Sequence, residues 1–339
     1  GQIRRQRQMC IRDRISRNFI AKTLAFVVAT LCVYTAYVYN QKQVYRVSGS
    51  IFGSSYNIIS PTYINDQVHQ SIKDELNRID LIASNYKNNS ELSLINQAEI
   101  NKKITISNDL QKIIESSIEF NKISNGAFDV TLGNTINQLG FGPEIFLNQR
   151  DKVIDYQEKF TINNNLFVKR DYFLIDLSAI AKGYAVDKIA DLLDQLNFNN
   201  YFIDIGGEVI VKGNKHNQPW IIGIQDPSSQ LIKPIMQIEH DSNKRLSMAT
   251  SGEYRNYYVK DAKTISHTIN PKTLESISQT SLSVSVKGNF DCMSADAYAT
   301  WFNVIGPTES LEIANSRQIA VMFIVKNSNG IEFRQSNYW

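Results

Sequence analysis

Phe173-Leu174-Ile175-Asp176-Leu177, then the run from Ala179 to Leu196, then Tyr201-Phe202-Ile203-Asp204-Ile205-Gly206-Gly207, is the stretch that decides the class of this fold. Two short apolar segments flank a run in which Ile189, Leu192, Leu193 and Leu196 recur at helical spacing, so the reading is strand, helix, strand. No G-x-G-x-x-G follows either strand, which argues against a Rossmann domain. Outward from this stretch the alternation breaks down. Val44 to Ile59 reads as a strand pair broken at Gly53-Ser54-Ser55. Val68, Ile72, Leu76, Ile79 and Ile82 form one face of an amphipathic helix. Ser90-Glu91-Leu92-Ser93 is a polar turn into a short segment. Ser107 or Asn108 caps a helix carrying Leu110, Ile113, Ile114 and Ile118, and Gly126 stops it. Strand-like runs follow at Trp220–Gln225, Ile235–Glu239, Tyr254–Lys260, Ser281–Val286 and Ile319–Val325. Strands and helices mixed in this way predict an α+β fold.

With 339 residues, 42% of them hydrophobic, and no repeats or Pro-rich tracts, the chain can bury a large core. Its net charge of +3 is unevenly placed. Residues 1–22 hold seven basic side chains (Arg4, Arg5, Arg7, Arg12, Arg14, Arg17, Lys22) against Asp13, a balance of +6. The other 29 basic and 32 acidic residues leave the remainder near −3, so the body carries no nucleic-acid footprint. From Phe19 to Tyr39 the only charge is Lys22. A helix there spans roughly 32 Å at about 1.5 Å per residue, enough for a bilayer. The segment reads as a signal anchor; a cleaved signal peptide is the alternative, disfavoured by the bulky Tyr34, Tyr37 and Tyr39. Basic residues precede it, so residues 1–18 are read as a cytoplasmic N-terminus, 19–39 as the membrane span and 40–339 as an exported domain facing the periplasm. The first fourteen residues, rich in Arg and Gln, look foreign to the rest. Cys10, Cys32 and Cys292 would lie in three different compartments, which leaves the exported body without a disulfide or a zinc spacing.

Several short stretches carry chemistry. Ser294-Ala295-Asp296-Ala297-Tyr298-Ala299-Thr300 sets Asp296 and Thr300 four residues apart on one helix face, two oxygen ligands suited to a hard cation such as Mg²⁺. Asp176-Leu177-Ser178-Ala179-Ile180-Ala181-Lys182-Gly183-Tyr184 joins a strand to a helix N-terminus, where backbone N–H groups and Lys182 favour phosphate. Asn125-Gly126-Ala127-Phe128-Asp129-Val130-Thr131 lets a flat ligand approach the backbone, with Asp129 available for ribityl hydroxyls or a ring N–H. Thr250-Ser251-Gly252-Glu253-Tyr254-Arg255 is polar and tight. His267, in Ser266-His267-Thr268-Ile269-Asn270-Pro271, is one of four histidines and a candidate general base, its ordinary pKa being about 6.5. Each stretch also has a plain structural reading: solvated helix surface, a loop around a buried Phe128, an ordinary turn at Gly206-Gly207, a structural histidine.

Their succession narrows the choice. Tyr86, Ser90-Glu91-Leu92-Ser93, Gly126-Ala127-Phe128-Asp129-Val130-Thr131, Gly140-Phe141-Gly142, Asp176-Leu177 with Ala181-Lys182-Gly183, Gly206-Gly207, Ala249-Thr250-Ser251-Gly252, His267 to Pro271 and Ala295-Asp296-Ala297 with Ala299-Thr300 follow one another in an order that resembles the FAD:protein FMN transferase family, ApbE, over roughly residues 47–325. The resemblance implies T-fold-like mixed sheets flanked by helices, after one membrane-spanning helix. It implies Mg²⁺ on the Ala179 carbonyl, Asp296 and Thr300. It also implies FAD gripped by Tyr86, Ala127, Phe128, Asp129, Asp176, Lys182, His267 and Ile269. The chain departs from the family pattern at Ser178-Ala179 (often Gly-Gly), at Asn270 (an acid), at Leu274 (a glycine) and at Leu139 (a tryptophan). The expected reaction is Mg²⁺-dependent transfer of FMN from FAD to a Thr or Ser hydroxyl of a client, AMP leaving, with His267 taking the hydroxyl proton and Lys182 steadying a phosphate. The expected clients are exported or membrane redox proteins with an FMN-binding domain. An FAD pyrophosphatase and a non-catalytic FAD binder are the alternatives.

Overall fold

The computed structural model describes residues 2–40, 43–145, 147–148, 151–152, 155–229, 231, 233–252, 257–260, 263–277, 281–328 and 330–339, and the chain divides into two compact units, Gly1–Val44 and Tyr45–Trp339. The first unit is one helix, α1 (Gln2–Asn40), in which the 22 residues Asn18–Tyr39 contain an 18-residue window of mean hydropathy 1.8 and are long and apolar enough to cross a bilayer.

The second unit is organised by an eight-stranded sheet: β1 (Tyr45–Ile51), β2 (Ser54–Ser60), β3 (Tyr201–Ile205), β4 (Glu208–Lys212), β5 (Leu246–Gly252), β6 (Ser281–Gly288), β7 (Ala320–Asn327) and β8 (Gly330–Gln335). Spatial order equals chain order, and each neighbouring pair is antiparallel. Helices α2 (Asp66–Ala83), α3 (Glu91–Asn96), α4 (Asn108–Ile123) and α5 (Ala181–Gln195) are inserted between β2 and β3. Helices α6 (Cys292–Ile305) and α7 (Pro307–Arg317) are inserted between β6 and β7. One sheet face packs on the helices, where Ile58, Ile203, Ile210 and Ala249 join Ile72, Leu76, Ile189 and Phe302 in the main core. The other face meets the hairpin Trp220–Gln225/Pro234–His240, where Val209, Val211 and Met248 pack with Trp220, Ile222 and Ile224. Side chains alternate along a strand. In β4, Val209 and Val211 therefore face the hairpin, and Glu208 shares the helix face with Ile210.

α6 lies against β5 because both are built of small residues: Ala295, Ala297, Ala299 and Ala249 are all fully buried. Its first turn is held by two carboxylates. Asp291 caps it, accepting from the Ser294 N–H at 2.6 Å, and Asp187 of α5 accepts from the N–H groups of Cys292 (2.8 Å) and Met293 (2.9 Å).

The structure revises several boundaries. Phe173–Leu177 is not a ladder strand. It is an extended, buried segment with one parallel bridge, Leu132 to Leu174, and it is otherwise pinned by the Asn96 side chain, which exchanges hydrogen bonds with Ile175 in both directions. Ser90 becomes the N-cap of α3, accepting from the Ser93 N–H at 3.0 Å. α5 starts at Ala181 rather than Ala179. In the Tyr254–Lys260 run, Tyr257–Lys260 pairs with Lys263–Ser266, and residues 253–256, including Glu253, Tyr254 and Arg255, lie outside the described residues.

Candidate active site

The turn into α5 is shaped by Asp176. Its Oδ1 accepts from the Ser178 N–H (2.8 Å) and hydroxyl (2.5 Å), and its Oδ2 accepts from the Asn85 amide at 2.6 Å. The turn leaves α5 without a side-chain cap, so its first amides must find other partners. The Gly183 N–H donates to Asp296 Oδ2 of α6 at 3.0 Å, where helix geometry would send it to the Ala179 carbonyl. Among the described residues, no hydrogen bond reaches that carbonyl. Gly183 is required for this approach: a Cβ there would stand 2.3 Å from the Cys292 carbonyl oxygen and 2.7 Å from Met293 Cα.

Lys182 sits between two buried carboxylates. Its Nζ is 3.1 Å from Glu208 Oε1 and 3.6 Å from Asp296 Oδ2, and it donates to the Ser178 carbonyl at 3.3 Å. Asp296, the one charged residue of α6, is 2% exposed and Glu208 3%. Burial pushes the Glu208 carboxyl up to about 8, against the pull of Lys182. Burial likewise raises Asp296, opposed by Lys182 and by the Gly183 N–H. For Lys182 burial acts downward, but the two carboxylates outweigh it and hold the ammonium above its ordinary value. Glu208 escaped the reading of the sequence, although a signal was present: an acid opens a strand whose next three residues are all buried and apolar.

Thr300 stands one turn beyond Asp296 on α6, its hydroxyl 3.4 Å from that of Ser251 on β5. Among the described residues no three Asp, Glu, His or Cys side chains converge as a metal cluster. The oxygen donors of this region are the Asp296 carboxylate, which meets the α5 entry through the Gly183 N–H, the Thr300 hydroxyl one turn along α6 and the unengaged Ala179 carbonyl, while Glu208 Oε2 is buried and lacks a hydrogen-bond partner. An all-oxygen set of this kind, short of a full shell, fits Mg²⁺ completed by phosphate oxygens.

A second group of sequence-predicted residues collects around Phe141. Its carbonyl accepts from the exposed Tyr86 hydroxyl at 3.0 Å, and its ring lies 6.1 Å from the His267 ring and 5.5 Å from that of Tyr258. The His267 segment reaches α6 through Asn303, whose amide donates to the Thr268 hydroxyl at 3.2 Å, while Ile269 is buried. Loop 126–131 is more internal. Ala127 and Phe128 are buried, and the Phe128 ring packs on Phe120, which meets Tyr298 of α6 edge-on. Asp129 Oδ1 already accepts from the Thr131 N–H, the Thr131 hydroxyl and the Tyr156 hydroxyl, and Lys159 stands 3.6 Å from Oδ2. Oδ1 of that carboxylate shapes the loop, and Oδ2 carries only the Lys159 ion pair. A cavity of about 340 Å³ is lined by Asn85, Asn96, Gly133, Asn137, Lys169 and Tyr172 among others. None of Lys182, Asp296, Thr300 or His267 lines it, but Asn85 joins it to Asp176.

Two departures from the family pattern are accommodated in the backbone. Leu274 keeps the left-handed conformation that favours glycine, at φ 58°. Asn270 Oδ1 accepts from the Lys272 N–H at 2.9 Å, a bond an aspartate would make equally well.

The Asp187 carboxyl that caps α6 carries a pH prediction. Burial pushes it up to about 7 from 3.8, against the two N–H donors. The folded state therefore keeps this proton after the unfolded chain has lost it. From about pH 4 to 7 this carboxyl contributes a loss of stability as pH rises, and Asp187→Asn should remove that part of the slope. Melting temperatures of both proteins across pH 4–8 decide it, and parallel curves would refute it.

Comparison with known proteins identifies the family. The chain matches the ApbE family over residues 52–323. It is 33% identical over 317 residues to the FAD:protein FMN transferase of Haemophilus influenzae, covering 88% of this chain and 91% of the relative. It is 34% identical over 311 residues to that of Vibrio cholerae, covering 86% and 91%. The solved flavin transferase ApbE from Vibrio cholerae superposes with a TM-score of 0.75 at 32% identity, covering 87% of this chain and 98% of that one. With a family match over residues 52–323 and relatives more than 30% identical across most of its length, this chain belongs to the ApbE family.

Proposed function

We propose that this chain transfers FMN from FAD to a Thr or Ser hydroxyl of a client protein, with Mg²⁺ held by Asp296, Thr300 and the Ala179 carbonyl. The observation that carries the reading is the Asp296 carboxylate of α6, drawn to 3.0 Å from the Gly183 N–H at the opening turn of α5. The names of its relatives support the same reaction. Mg²⁺ bound there supplies charge neutralisation on the FAD diphosphate. Lys182 binds a phosphate oxygen as a mobile point charge. Tyr86 and the Phe141 loop take the flavin ring, and loop 126–131 supports it through its backbone. His267 accepts the proton of the client hydroxyl as that oxygen attacks the FMN-side phosphorus. The bond from phosphorus to the AMP oxygen breaks, and AMP leaves.

The basic residues ahead of the apolar part of α1 support an anchored, single-pass topology in the inner membrane, with Tyr45–Trp339 facing the periplasm. Exported or membrane redox subunits carrying an FMN-binding domain would then be the clients. The test is to incubate the protein with FAD, Mg²⁺ and a client domain. Flavin fluorescence should remain on the denatured client band, with one AMP released per flavin, and chelation of the metal should abolish both. Free FMN released at the same rate without client, or labelling that persists in excess chelator, would sink the proposal.

A further inference from the structure

Lys182 and a divalent ion have claims on the same carboxylate, and we propose that Glu208 decides between them. It is a positioning residue that draws the Lys182 ammonium to its own side and so frees Asp296 to ligate the ion. This rests on the metal reading of Asp296 given above. The ammonium is closer to Glu208 Oε1, at 3.1 Å, than to Asp296 Oδ2, at 3.6 Å. Glu208 reaches it because strand alternation turns its side chain to the helix face, and because the turn before β4 is glycine. A Cβ on Gly206 would sit 3.4 Å from Lys182 Cδ and 3.0 Å from Ser54 Oγ, so the lysine stem passes close over that turn. Glu208 Oε2 is buried without a hydrogen-bond partner.

An orphaned buried carboxylate oxygen is costly and is rarely kept for stability alone. Here it has a use. Ionised together, the two carboxylates give the site one negative charge in excess of the Lys182 ammonium. Asp296 Oδ1 accepts no hydrogen bond from a described residue, so its lone pairs are available. With glutamine at 208, the ammonium has Asp296 as its sole carboxylate in reach and pairs with it directly. The ion then has to displace a full ion pair in a site that has lost its negative charge.

The test is a Mg²⁺ titration of thermal unfolding on the full chain in detergent, at ionic strength held constant with NaCl. An ion that binds only the folded state raises the melting temperature, and the concentration dependence reports its affinity. The wild type should show a Mg²⁺-specific rise, and Asp296→Asn should show none. Glu208→Gln should need at least tenfold more Mg²⁺ for the same rise, while its metal-free melting temperature stays equal to or above that of the wild type. Lys182→Met, without a competing ammonium, should respond at lower Mg²⁺ although its metal-free form melts earlier.

If Asp296→Asn responds like the wild type, or the wild type shows no Mg²⁺-specific rise, the metal reading fails and this inference with it. If Asp296→Asn is flat but Glu208→Gln responds at the wild-type concentration, the metal reading stands and the role of Glu208 is overturned. A lowered metal-free melting temperature with an unmoved Mg²⁺ response likewise marks Glu208 as structural and overturns the inference. Should Glu208→Gln fail to fold, Lys182→Met decides alone, and an equal or greater Mg²⁺ requirement there refutes the competition.

Discussion

Asp296→Ala should lower flavin transfer by about 10²–10³-fold or more, and added Mg²⁺ should not restore it. The size of the effect follows from the place of this carboxylate. It is the one charge on a largely buried helix, and it is drawn onto the α5 turn by the Gly183 N–H. Without it the Thr300 hydroxyl and the Ala179 carbonyl are neutral donors, too few for a cation that gives up water reluctantly. The fold should tolerate the change. Lys182 keeps Glu208 as a partner, and removing a desolvated carboxylate offsets part of the about 1–3 kcal/mol that an unpaired Gly183 N–H costs. Asp296→Asn separates the two effects, because its amide oxygen can still accept from Gly183. That variant should melt close to the wild type and remain inactive. Client labelling at the wild-type rate in Asp296→Asn would remove Asp296 from the metal site.

Local chemistry was legible in this sequence wherever neighbours along the chain do the work. The spacing of Asp296 and Thr300 places them on one helix, as found, and α2 and α4 show themselves by apolar residues that line one buried face. The Ser107 cap of α4 was readable too, since a serine oxygen meets an N–H three residues on. What the sequence hid depends on distant partners. Phe173–Leu177 has the composition of a strand, but composition does not say who satisfies its backbone, and the answer is the side chain of Asn96 and the carbonyl of Val130. Glu208 went unread because its meaning comes from the face on which β4 presents it. Phe128 serves the core through Phe120, which neither its motif nor the resemblance distinguished from contact with a ligand.

Gly183→Ala, a single methyl, should be among the most damaging substitutions outside the ligand set. The added Cβ would meet the Cys292 carbonyl oxygen at 2.3 Å, its carbon at 2.7 Å and Met293 Cα at 2.7 Å. These are backbone atoms of the α6 entry, tied down by the Asp187 and Asp291 carboxylates, so no side chain can rotate out of the way. Overpacking of a tight contact costs typically about 1–3 kcal/mol, and here relief requires α5 and α6 to part. Parting them lengthens the 3.0 Å bond from the Gly183 N–H to Asp296 and moves the carboxylate away from the Ala179 turn. The expected result is a lowered melting temperature together with loss of the Mg²⁺-dependent rise, since stability and metal geometry share one contact. Alanine is the better helix former by about 1 kcal/mol, so propensity alone predicts the opposite sign. A variant that melts higher than the wild type and keeps its Mg²⁺ response would show that the two helices can separate without disturbing the site.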